Sequence, residues 1–143
     1  VKSPVEKFKL RIDIIMYVLS RLRKCGKTKL MKLLYLIDRE FSHRGFEPLF
    51  DWVLWWYGPF SKDVLTILDV LEMYGLVRSE YRKNMKVYTT DIKEHIISDK
   101  SIREVIDSVI NEWGFRKLEE LLRYVYELPE VRKARPLSKI DIQ

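Results

Sequence analysis

FDWVLWWYGPF, residues 50–60, places six aromatic side chains in eleven positions of a chain that is otherwise rich in charge. Positions 52–57 hold β-compatible aromatics and valine with no polar alternation, which predicts a strand buried on both faces. Trp52, Leu54 and Trp56 would lie on one side, and Val53, Trp55 and Tyr57 on the other. Gly58-Pro59 stops it, because proline has no N–H for a ladder and turns its neighbour away from helix. Ser61 then stands as the cap of a helix with the stripe Val64, Ile67, Leu68 and Leu71, and Gly75 is placed to end that helix. The rings are read chiefly as architecture. Trp and Tyr also anchor protein interfaces, so a partner groove near Trp52, Trp55 and Trp56 is the second reading.

Upstream, Val5, Phe8, Ile12, Ile15, Leu19 and Leu22 recur at spacings of three and four, the mark of an amphipathic helix. "RKCGKT" breaks that pattern. Thr28 is positioned to cap a second helix with the stripe Leu30, Leu33, Leu34, Ile37 and Phe41, which "HRGFEP" ends. Downstream, "LVRSEYRKNMKVYTT" reads as a hairpin pairing 76–82 with 86–90 around a charged turn. Ser101 with Glu104 matches a capping box ahead of Ile102, Val105, Ile106, Val109, Ile110 and Trp113. Gly114 interrupts, and Leu118, Leu121, Leu122 and Val125 mark a further helix ending before Pro129. The expected fold is mainly α with a small antiparallel β component: a winged-helix-like centre of helix, strand, helix and hairpin over about 28–90, flanked by N- and C-terminal helices. Residues 1–128 would form one domain, with 129–143 an extended or partly disordered tail.

The chain has 143 residues, 47% of them hydrophobic, enough for one core without staples. No apolar run approaches the roughly 20 residues of a membrane span, and the first residues lack a signal-peptide pattern, so a cytoplasmic protein without membrane contact is expected. Cys25 alone can form no internal disulfide, and with His43 and His95 it makes a poor metal set. "CGKT" at 25–28 is not a phosphate loop, since that motif needs glycine where Arg21 stands. No Ser or Cys pairs with a His at a recognisable spacing. A non-enzymatic protein with no cofactor and no small-molecule substrate follows. Sparse Gln and Asn beside abundant Lys, Arg and Glu point to a thermophilic source.

The formal charge of +6 is unevenly placed: residues 1–46 carry twelve basic and four acidic groups, whereas 47–75 carry one and five. Arg21, Arg23, Lys24, Lys27, Lys29 and Lys32 form a run free of acid that would suit phosphates, and Arg78, Arg82, Lys83 and Lys86 on the hairpin extend it. The helix at 61–74 opposes that reading, because Asp63, Asp69 and Glu72 give it the wrong charge for a major groove.

"TKLMKLLYLID" at 28–38, "WWYGPF" at 55–60 and "YGLV" at 74–77 together resemble the SocA-like antitoxin family, the Panacea domain, over roughly residues 10–90. That resemblance implies a mostly helical regulatory domain without catalytic residues. Its members include antitoxins that neutralise unrelated toxins by direct contact, and at least one proteolytic adaptor. The expected function is thus binding of a toxin-like or other protein partner. The alternative is a winged-helix-like regulator that binds duplex DNA. The helices at 101–127 and the tail carry none of these motifs.

Overall fold

A computed structural model describes residues 2–56 and 58–142. It is mainly helical, with small antiparallel sheets, and it is organised around its second helix. α1 (Pro4–Leu22) starts from Ser3, whose hydroxyl accepts the Glu6 N–H at 3.2 Å, with Pro4 in the first turn. β1 (Lys24–Gly26) and α2 (Lys27–His43) follow. Every residue of α2 from Leu30 to Asp38 is buried, so the predicted stripe is only one side of a helix wrapped by the rest of the chain. Its cap is Gly26, not Thr28: β1 holds the backbone extended as far as Gly26, and the chain turns helical directly after it. The α1 stripe is also shorter than its pattern. Burial is confined to Ile14–Ser20, and Val5 and Phe8 are exposed.

β4 (Arg78–Arg82) and β5 (Met85–Thr89) form the expected hairpin, with Arg82 opposite Met85. Lys83 and Asn84 both take positive φ, 51° and 64°, the twist a two-residue hairpin turn requires. β1 pairs with β5 in the order β1-β5-β4, Lys24 lying opposite Thr89 and Gly26 opposite Val87. Helix, strand, helix, helix and hairpin is an order compatible with a winged helix. The strand that joins the hairpin is Lys24–Gly26, however, in a stretch read as a turn. The aromatic run does something else: β2 (Val53–Trp55) folds back on β3 (Gly58–Phe60) as a separate tight hairpin. A strand of three residues turning on itself cannot bury both faces of 52–57, and Tyr57 lies outside the described residues.

α3 (Lys62–Met73) buries Val64, Ile67, Leu68 and Leu71 as expected, and Gly75 follows it at φ 74°. Ser61 precedes it without a side-chain cap bond; its hydroxyl is buried and unpaired among the described residues. α4 (Lys100–Val109) is capped by Asp99, which accepts the Ile102 N–H at 3.1 Å, so Ser101 falls inside the first turn. A π-helical turn, Ile110–Gly114, continues it; a Cβ on Gly114 would meet Ile110 at 3.0 Å and Leu22 at 3.1 Å. α5 (Leu118–Glu127) and α6 (Pro129–Lys133) complete the helices.

The tail departs from expectation in its first residues, which are helical. It opens as α6, buries Glu130, Val131 and Ile140, and then runs extended beside β2. The Leu54 N–H donates to Ser138 O at 3.0 Å, Leu137 N–H to Leu54 O at 2.7 Å and Ile140 N–H to Trp52 O at 2.9 Å. Its lack of hydrophobic period reflects edge pairing, in which the backbone and not a side-chain stripe makes the contacts. One contiguous hydrophobic cluster runs from Ile14 to Ile140.

Candidate partner-binding surface

The polar side chains of α2 reach from its buried length to three other parts of the chain. Lys32 Nζ donates to the Pro59 carbonyl at 3.1 Å, and burial pulls its pKa down to about 8. Asp38 accepts the N–H groups of Leu49 at 2.8 Å and Phe50 at 2.9 Å, and the Trp52 indole N–H at 2.8 Å. Burial pushes the Asp38 carboxyl up to about 6, outweighing those hydrogen bonds, which act the other way. Tyr35 donates to Glu130 Oε2 at 2.8 Å, and Arg39 Nε meets the same oxygen at 2.6 Å. For Glu130 the balance reverses. Burial alone would raise its carboxyl, yet the bonds from Arg39 and Tyr35 hold it below the usual glutamate value. The Tyr35 hydroxyl is pushed well up, first by burial and then by its bond to Glu130. Spacings of three and four along α2 put these groups one above another, so one helix fixes the aromatic hairpin, the loop before it and the tail.

That framework sorts the three candidate tryptophans. Trp52 is 2% exposed, its ring edge-on to Tyr35 at 5.2 Å and to Phe50 at 5.9 Å. It belongs to the core and offers no surface to a partner. Trp55 is 43% exposed and rests against Phe60 at 5.6 Å, and Trp56 is 81% exposed and edge-on to Trp55 at 6.4 Å. Gly58 opens β3 directly opposite Trp55. Its φ of 96° suits glycine, and a Cβ there would stand 2.9 Å from the Tyr126 ring and 3.3 Å from Lys32 Cε. Pro59 sits inside the hairpin because Leu54, directly opposite, turns its N–H and C=O to the tail and asks nothing of it.

The profile of the SocA-like antitoxin family, Panacea domain, matches residues 30–130 of this sequence. The chain belongs to that family. No curated protein and no solved structure matches it. The match extends past the motifs quoted above through the helices at 101–127 and ends at Glu130, the partner of Tyr35 and Arg39. In this Panacea domain the Lys-Leu-Leu-Tyr-Leu-Ile-Asp helix and the Tyr-Gly-Pro motif meet at the Lys32–Pro59 bond, so two short motifs mark one contact.

The candidate nucleic-acid residues fare unevenly. Lys32 is buried and committed to Pro59. Arg21 is bonded to Asp107 at 2.6 Å and Lys29 to the Arg116 carbonyl at 2.8 Å. Arg78 pairs with Asp91, Arg82 with Glu80 at 2.9 Å and Lys86 with Glu72 at 3.6 Å. Arg23, Lys24, Lys27 and Lys83 make no ion pair among the described residues. Lys24 and Arg78, both opposite Thr89, share the outer face of the three-stranded sheet about 10 Å apart.

Cys25 is buried with its thiol pushed up to about 12, chiefly by burial, and the described residues contain no cluster of His, Cys, Asp and Glu able to hold a metal. Among the described residues no helix is long and apolar enough to cross a membrane. Sequence reading missed Arg39 and Glu130. The signal for Arg39 was its i,i+4 offset from Tyr35; Glu130, an acidic residue after Pro129, carried none.

Proposed function

We propose that this Panacea domain is a non-enzymatic regulatory module that binds a protein, a toxin or another target, through the tip of the β2–β3 hairpin. One observation carries the reading: two adjacent tryptophans stand exposed on a hairpin whose base is fixed by buried hydrogen bonds to α2. Exposed rings on a backbone fixed at its base are what an interface anchor needs, because less backbone entropy is left to lose on binding. The family match supports a regulatory protein of the antitoxin type. The test uses the purified protein as bait beside the Trp55→Ala/Trp56→Ala variant. A partner held by the first and released by the second, at unchanged melting temperature, supports the reading. A partner held equally by both moves the interface elsewhere.

A duplex-DNA reading has its own support, since Arg23, Lys24, Lys27 and Lys83 are unpaired around a sheet of winged-helix-compatible order. Against it, α3 carries Asp63, Asp69 and Glu72 where a groove-entering helix would face phosphates. Titration into labelled duplex at low and moderate salt separates the two: binding that falls steeply with salt and is abolished by charge reversal at Arg23 and Lys24 favours DNA.

A further inference from the structure

We propose that the surface received by this hairpin is acidic: an apolar pocket for Trp55 and Trp56 rimmed by carboxylates that meet the C-terminal tail. The proposal rests on the protein-binding reading above and adds the chemistry of the partner. The tail is the outer neighbour of β2. Lys139 lies directly opposite Val53, and side chains opposite one another or two apart on a strand share a face, so Lys139 stands on the side of Val53 and Trp55. Leu137, two residues earlier, is 64% exposed, and Arg135 precedes it in a turn closed by the Ser138 N–H on its carbonyl at 3.0 Å. The tail thereby brings Leu137 and Lys139 alongside β2, the strand that leads to the tip.

Those cations are uncommitted. Arg132, Lys133, Arg135 and Lys139 make no ion pair among the described residues, whereas Glu130 is taken up by Arg39 and Tyr35. Asp141 is the one other carboxylate between 129 and 142. The acid-free basic run at 21–32 has half of its six members bonded elsewhere. The tail brings unpaired positive charge alongside the strand that leads to Trp55 and Trp56.

The rings favour a protein over a nucleic acid. Trp55 and Trp56 meet edge-on at 69° and Trp55 lies against Phe60, so the pair does not offer parallel ring faces on which successive bases could stack. In a protein complex the anchors supply affinity while rim charges set the encounter rate and its salt dependence.

The test measures binding of the full chain to three labelled peptides with a common Leu-Phe-Leu centre flanked by Glu, by Ser or by Lys, and to oligo-dT, at low and moderate salt. The Glu-flanked peptide should bind roughly tenfold tighter than the Ser-flanked one at low salt. Arg135→Glu/Lys139→Glu should erase that preference at unchanged melting temperature, and Trp55→Ala/Trp56→Ala should abolish binding of both. Equal binding of the Glu- and Ser-flanked peptides, both lost in the tryptophan variant, overturns the acidic partner and leaves the protein-binding reading in place. Binding of the Glu-flanked peptide that survives loss of both tryptophans overturns the hairpin tip as the site. Tighter binding of oligo-dT, lost in the same variants, assigns the hairpin tip to single-stranded nucleic acid, and no binding by any probe overturns the proposal.

Discussion

Trp52 and Trp56 lie four residues apart in one aromatic run, and their environments are opposite. Trp52 is enclosed by Tyr35 and Phe50 with its indole N–H on Asp38, whereas Trp56 is mostly in solvent at a turn. Burial of an indole requires a partner for its N–H, and α2 supplies one carboxylate at one height. The difference is set by what the rest of the fold offers each position. Trp52→Ala should therefore cost about 3–5 kcal/mol in urea or thermal unfolding, through the cavity it leaves and the Asp38 bond it removes. Trp56→Ala should shift stability by no more than about 0.5 kcal/mol. Similar costs at the two positions would break the comparison.

The tail sharpens the same contrast, because residues without hydrophobic period are held by one buried carboxylate and a row of backbone bonds. Glu130→Ala leaves Arg39 and the Tyr35 hydroxyl without their acceptor. Removing one partner of a buried pair costs about 3–5 kcal/mol, but Arg39 keeps some water, so about 2–3 kcal/mol is expected here. Hydrogen exchange at Ile140 should quicken in that variant, since α6 leads directly into the segment beside β2. Unchanged protection would show the tail to be held by β2 alone.

Periodicity made the helices legible: Leu30 to Phe41, Val64 to Leu71 and Ile102 to Ile110 each announce a face, and the structure buries each. What periodicity could not show was pairing. Lys24–Gly26 is three residues of no β character and becomes a strand because β5 offers it an edge; Lys139 forms a single bridge to Val53 of β2 on the same principle. The caps at Thr28 and Ser101 were displaced by upstream residues, because extended backbone ended at Gly26 and Asp99 reached the first turn sooner. At the candidate surface the sequence marked the aromatic concentration but not its division, since the Asp38 contact that separates Trp52 from Trp55 spans fourteen residues. It also counted charge without seeing which cations are already bonded.

Lys32 stands between the two tryptophan environments, beneath Pro59 at the base of the hairpin, and its titration gives a smaller effect than the loss of Trp52. Its folded pKa is drawn from the usual lysine value of 10.5 down to about 8 by burial. Below pH 8 both folded and unfolded chains hold the proton, so the cost of burying the charge is constant. Between about pH 8 and 10.5 the folded chain has released a proton that the unfolded chain still binds, so this group makes stability rise with pH. Lys32→Met removes the titration while keeping an unbranched side chain of similar reach. The unfolding free energy of the parent should therefore gain about 2 kcal/mol on the variant between pH 8 and 10, a difference in which the other lysines and tyrosines cancel. Parallel pH profiles would mean that water reaches Lys32. The hairpin base would then be looser than the buried Pro59 contact implies, and the rigidity on which exposed Trp55 and Trp56 depend as anchors would go with it.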